Sequence, residues 1–140
     1  MENARAKALA GHAVRPSAWL LGEDSGLEVE ALDGEPGLRS ARWSGRPIEA
    51  LLERLGGEAD RRARYICELV CLDPDGAEYR GTGMLAGRIA REPRGSEGFG
   101  YDPIFVPEGE SRTVAELGNG WKAEHSHRAR AAHALLGALG

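Results

Sequence analysis

Two stretches of this chain carry residues whose types and spacing could do chemistry. The first is Glu23-Asp24-Ser25-Gly26, directly after the apolar run Ala18-Trp19-Leu20-Leu21. Paired carboxylates at a strand end, followed by Ser-Gly, can hold a divalent cation and orient a water. The same pair can also serve as a turn or a helix cap. The second stretch is Gly95-Ser96-Glu97-Gly98-Phe99-Gly100-Tyr101-Asp102-Pro103, followed by Ile104-Phe105-Val106. Its glycines let the backbone approach a ligand closely and take positive φ. Phe99 and Tyr101 offer flat faces on which a base could stack. Asp102 offers a carboxylate on a residue that Pro103 forces extended. A hairpin loop with two packing aromatics would use the same residues.

The elements around these stretches can be read from pattern. Glu2 to about His12 is rich in Ala, Lys and Arg and reads as a helix that Gly11 ends. Its Lys7 is either a solvated helix charge or a phosphate contact. Ser17 to Glu23 reads as a strand running into the carboxylate pair, and Leu27–Leu32 alternates with a period near two, as a partly exposed strand does. Asp33-Gly34-Glu35-Pro36-Gly37 is a turn, with Arg39 and Arg42 beyond it. Pro47–Leu55 is an amphipathic helix stopped by Gly56-Gly57. Ala63–Leu72 is apolar on both faces, which places it centrally in a sheet. Asp73-Pro74-Asp75-Gly76 turns the chain into a second strand, Glu78–Ala90, where Gly81, Gly83 and Gly87 suggest bulges. Thr113-Val114-Ala115-Glu116 has capping-box spacing. Lys122–Leu139 reads as one closing helix with an apolar stripe of Ala129, Ala132, Leu135, Leu136 and Leu139.

Composition bounds the possibilities. A chain of 140 residues with 41% hydrophobic content suits one domain with a core. The net charge of −4 argues against bulk nucleic-acid binding, which needs many cations on one face. It leaves room for a small anion neutralised by a metal. Cys67 and Cys71 are the two cysteines. Four strand residues set them about 13 Å apart, beyond the roughly 7 Å that a disulfide spans, so they read as buried thiols facing one way. The start of the chain lacks the apolar core of a leader peptide, and no apolar run reaches membrane-spanning length, so a cytoplasmic location without membrane contact is expected.

Four motifs in order carry a resemblance across nearly the whole chain. They are Glu23-Asp24-Ser25-Gly26-Leu27; Gly34-Glu35-Pro36-Gly37 with Ser40-Ala41-Arg42; Phe99-Gly100-Tyr101-Asp102-Pro103-Ile104-Phe105; and Ser126-His127-Arg128-Ala129. Together they resemble the inosine triphosphate pyrophosphatase family, which hydrolyses non-standard purine nucleoside triphosphates. The resemblance implies an α/β fold: a mixed twisted β-sheet flanked by helices, with a nucleotide-binding cleft. It implies Mg²⁺-dependent cleavage of ITP, dITP or XTP to the monophosphate and pyrophosphate. Asp24 would be catalytic, as metal ligand and general base, with Glu23 the supporting metal carboxylate. Lys7, Ser25 and Lys122 would meet phosphate, with Lys122 also able to contact the base. Phe99, Gly100, Tyr101 and Asp102 would surround base and ribose. His127 and Arg128 would read the 6-keto edge, because a donor aimed there is left unpaired by adenine. A homodimer is also implied.

There are departures. The family's first acidic position is more often Asp, and Ala123 stands where many relatives have Asn. The family's opening strand, its Ser/Thr-Asn-x-x-Lys phosphate loop and a further metal-binding Glu have no counterpart here, so residues 1–140 read as a single domain incomplete at its N-terminal side. The alternative is a truncated, catalytically weak or inactive nucleotide-binding or dimerisation remnant.

Overall fold

The computed structural model describes residues 2–15, 17–37 and 46–140. Arg39, Ser40, Ala41 and Arg42 lie outside the described residues. The elements run α1 (Glu2–Val14), β1 (Leu20–Val29), a 3-10 turn (Glu30–Leu32), β2 (Pro36–Gly37), α2 (Pro47–Leu55), β3 (Arg62–Leu72) and β4 (Glu78–Ile89). A second 3-10 turn (Asp102–Ile104), β5 (Phe105–Pro107), α3 (Val114–Leu117), α4 (Asn119–His125) and α5 (His127–Leu139) complete the chain. The strands form a five-stranded sheet ordered β2-β1-β3-β4-β5. β1 pairs antiparallel with β2 in the register Leu27↔Gly37, and β4 pairs antiparallel with β5 in the register Ile89↔Phe105. This is the α/β architecture the sequence suggested, with β3 central.

The chain divides into two compact units. The first comprises Met1–Ser25, Ile66–Met84 and His127–Gly140, and the second comprises Gly26–Tyr65 and Leu85–Ser126. β1, β3 and β4 contribute residues to both.

In the first unit, β3 buries two faces, as its double apolar pattern requires. Cys67, Leu69 and Cys71 cluster with Ala131 and Leu135 of α5, while Val70 and Leu72 cluster with Ala4 and Ala8 of α1. Both cysteines are free and buried. The helices come very close to the strands. A Cβ at Gly22 would collide with the main chain of Ala4 and Ala8. One at Gly83 would collide with the carbonyl of His127 and the amide of Ala131. Gly81 and Gly83 therefore admit α5 rather than a bulge, Gly87 lies against Val106 and Phe105 of β5, and β4 runs unbroken. Gly11 likewise does not end α1, which continues to Val14.

In the second unit, Leu27, Val29, Leu51, Leu55, Tyr65, Ile89, Ile104 and Phe105 form the core. α2 begins with Pro47 and ends at Gly56, whose φ is 50°. Leu27–Leu32 does not stay extended, because β1 gives way to the 3-10 turn after Val29. The capping box is present: Thr113 Oγ1 accepts from the Glu116 amide at 3.2 Å, and the Thr113 amide donates to Glu116 Oε1 at 2.9 Å.

The expected single closing helix is two. Ser126 (φ −64°, ψ 164°) separates α4 from α5. α5 buries Ala131 and Leu135 and leaves Leu136 and Leu139 exposed, so the buried face is narrower than the apolar stripe.

Candidate active site

In the first unit, β1 carries the carboxylate pair and α1 and α5 supply cations. Lys7 projects from α1, and its Nζ donates to the Glu23 carbonyl at 2.8 Å and lies 4.0 Å from Asp24 Oδ1. Arg128, on the first turn of α5, donates from Nε to Glu23 Oε1 at 2.6 Å and from Nη2 to Ser25 Oγ at 3.4 Å. Ser25 Oγ donates to Glu23 Oε1 at 3.4 Å. Lys7, Glu23, Asp24, Ser25 and Arg128 are thus gathered, with His127 half-buried beside Arg128. The Glu23–Arg128 contact joins residues 105 apart in sequence.

The two carboxylates differ sharply. Glu23 is partnered, whereas Asp24 is 8% exposed and its Oδ2 has no hydrogen-bond partner among the described residues. A buried carboxylate oxygen normally has a donor, so an orphan of this kind calls for a cation, a water or a substrate group. Cys67 reports the same local field: burial first, then the Glu23 charge, pushes its thiol up to about 11.

In the second unit, the glycine-rich loop is knotted to Asp102, which is 4% exposed. Its Oδ2 accepts from Lys122 Nζ at 2.7 Å and from the Phe99 amide at 3.0 Å, and its Oδ1 accepts from the Tyr65 hydroxyl at 3.0 Å. Gly98 (φ 81°) is required, because a Cβ there would run into the Asp102 carboxylate. Lys122 Nζ also lies 4.0 Å from the centre of the Phe99 ring, a cation–π contact. Phe99 is 62% exposed and presents its ring to solvent.

Three expectations change. Tyr101 is not an open stacking face, because its ring belongs to the core of the second unit. Its hydroxyl is buried without a partner among the described residues, and burial raises its pKa. The Asp102 oxygens are occupied by protein donors, which makes Asp102 an organiser of Lys122 and Phe99. Glu23, expected as a supporting metal carboxylate, has its Oε1 committed to Arg128 at 2.6 Å. Sequence reasoning missed Tyr65. The available signal was a phenol on an apolar strand face, which demands a polar partner when buried.

The residues fit a divalent cation in one respect. Among the described residues no three His, Cys, Asp or Glu side chains converge on a metal position. Mg²⁺, however, is commonly held by one or two carboxylates together with waters and substrate phosphates. The orphaned Asp24 oxygen suits that mode. No helix among the described residues is long and apolar enough to cross a membrane.

The chain is also similar to known proteins. The model of the Ham1 family matches residues 1–138. A dITP/XTP pyrophosphatase of Bdellovibrio bacteriovorus is 44% identical over 143 residues, covering 96% of this chain and 72% of the relative. One from Deinococcus deserti is 47% identical, covering 98% of this chain and 68% of the relative. Among solved structures, the Ham1 protein of Staphylococcus aureus is similar at a TM-score of 0.92 and 40% identity, covering 99% of this chain and 74% of that one. A nucleoside-triphosphatase / dITP/XTP pyrophosphatase from Mycobacterium abscessus is similar at 0.82 and 42% identity, with the same coverage. With a family model spanning nearly the whole chain and relatives more than 40% identical to it, the chain belongs to the Ham1 family.

Proposed function

We propose that this protein hydrolyses non-standard purine nucleoside triphosphates (ITP, dITP and XTP) to the monophosphate and pyrophosphate. The observation that carries the reading is the buried, unpartnered Oδ2 of Asp24. The relatives named dITP/XTP pyrophosphatase support the enzyme over an inactive remnant.

Each unit has its own task. In the first, Lys7 and Arg128 place positive charge around the carboxylate pair and suit the phosphates. Asp24 takes the proton of the attacking water. Glu23, held by Arg128, keeps negative charge beside Asp24 and stops Arg128 from neutralising it. Asp24 would also hold Mg²⁺, which when bound supplies charge neutralisation at the phosphates. Ser25 Oγ donates toward a phosphate oxygen once it leaves Glu23.

In the second unit, Phe99 stacks against the purine and Lys122 contacts base or phosphate. Gly100 (φ 62°), with nothing within 4 Å of a Cβ, leaves space for the ligand. Asp102 holds Lys122 and the loop in register. His127 belongs instead to the first unit, beside Arg128, and is the donor for the 6-keto group. The same reading carries Mg²⁺ as the metal, a homodimer and a cytoplasmic location.

The test is pyrophosphate release by the purified 140-residue chain with Mg²⁺, comparing ITP, dITP and XTP with ATP and GTP. Faster release from the first three is expected. No release from any of them, or equal rates on ATP, would overturn the reading.

A further inference from the structure

A second concentration of charge lies in the second unit, on residues given no role above. A cleft of about 300 Å³ is lined by Arg61, Arg88, Arg91, Arg94, Glu92 and Val106, among others. Four arginines and one glutamate line it, in a chain whose net charge is −4.

Arg61 is pinned by main-chain carbonyls. It donates from Nε to Ile89 O at 2.8 Å, from Nη2 to Ala90 O at 3.1 Å, and from Nη1 to Gly56 O at 3.2 Å and Glu58 O at 3.4 Å. Carbonyls fix its direction but carry no formal charge. Arg88 donates only weakly, at 3.5 Å, to Glu110 O. Among the described residues, Arg61, Arg88 and Arg91 have no carboxylate within ion-pair distance. Arg94 has Glu116 at 3.6 Å, but that carboxylate also closes the capping box. Burial first, and then the like charge of Arg91, lowers the pKa of Arg61, so these cations feel each other. Like charges held in a concave surface focus a positive potential, and the forked guanidinium matches phosphate oxygens. The small volume suits an ion rather than a macromolecule.

We propose that this arginine cleft binds a small, multiply charged oxyanion of the phosphate class. The inference does not rest on the proposed reaction. The main chain of Arg94 bonds to Pro103 O at 2.8 Å and accepts Thr113 Oγ1 at 2.7 Å, so an occupied cleft braces the segment that leads into the Phe99 loop.

The test is calorimetric titration of the full chain with inorganic pyrophosphate in metal-free buffer. The variants are Arg91→Gln, Arg88→Gln/Arg91→Gln and, as a control at an exposed arginine of the other unit, Arg15→Gln. Arg88 and Arg91 are exposed, and circular dichroism verifies that their variants fold. The double variant is expected to weaken pyrophosphate binding about tenfold or more, the single variant less, and Arg15→Gln not at all. Amide resonances of Ala90, Arg91 and Glu92 should move on titration. Orthophosphate in parallel separates the sources: tighter pyrophosphate assigns the cleft to a diphosphate, and equal affinities assign it to a single phosphate. A double variant that titrates like the unaltered chain, or shifts confined to other residues, would overturn the proposal.

Discussion

Replacing Tyr65 by Phe removes one oxygen and keeps the ring. That ring packs 4.4 Å, centre to centre, from Phe105, so the packing survives and the 3.0 Å bond to Asp102 is lost. Asp102 is 4% exposed, so water cannot easily replace the donor. A hydrogen bond to a charged acceptor contributes about 1.5–3 kcal/mol, and the stranded acceptor puts the loss toward the upper half of that range. With an unfolding entropy of about 2.1 cal/mol/K per residue, a chain of 140 residues has about 0.3 kcal/mol/K. A loss of about 2.5 kcal/mol then lowers Tm by about 8 °C. Tyr79→Phe is the matched control. Its hydroxyl reaches Asp73 at 3.4 Å from a half-buried position, so its loss should cost below about 1 kcal/mol. Thermal unfolding followed by circular dichroism reads both. A Tyr65→Phe variant that melts no lower than Tyr79→Phe would refute the account of Asp102 as a buried, protein-satisfied carboxylate.

Asp24→Asn should lower ITP turnover at least about 100-fold, since a positioned base contributes about 10²–10⁴, while folding stability changes by less than about 1 kcal/mol; steady-state pyrophosphate release with ITP checks it, and retained turnover removes Asp24 as base. Gly83→Ala should destabilise by about 1–3 kcal/mol through overlap with α5, whereas Gly57→Ala, with nothing within 4 Å of its Cβ, should be neutral in urea unfolding. The buried Cys67 thiol, raised from 9.0 to about 11, stays protonated in the folded chain while the unfolded chain ionises, so its contribution to stability falls as pH rises from about 9 to 11. The loss is on the order of 2–3 kcal/mol and should vanish in Cys67→Ala, whose stability is to be compared with the parent across that range.

Much of the fold was legible because local chemistry and tertiary context agree. Pro47 and Gly56 bound α2 where the pattern put them. The double apolar face of β3 did mean two packed layers. Thr113 and Glu116 close their box through adjacent backbone. Where the reading failed, the cause was non-local. The run from Lys122 to Leu139 has no residue that forbids helix before Gly137, so nothing local marks the break at Ser126. Gly81 and Gly83 look like strand defects until α5 is seen lying on them. Phe99 and Tyr101 are both aromatics in one loop, and only the fold decides that one faces solvent and the other the core. In the candidate site, the carboxylate pair was readable from type and spacing, but the preference of Arg128 for Glu23 was not. That preference is what distinguishes the partnered carboxylate from the orphan.

The convergence on Asp102 governs how the glycine-rich loop can move. Lys122 and the Phe99 amide share one oxygen, and the hydroxyl of Tyr65 anchors the other. Rotating that carboxylate strains all three grips together, so the segment resists fraying strand by strand and lets go as a single cooperative latch. The aromatic surface and the ammonium charge are therefore delivered, and withdrawn, as one object.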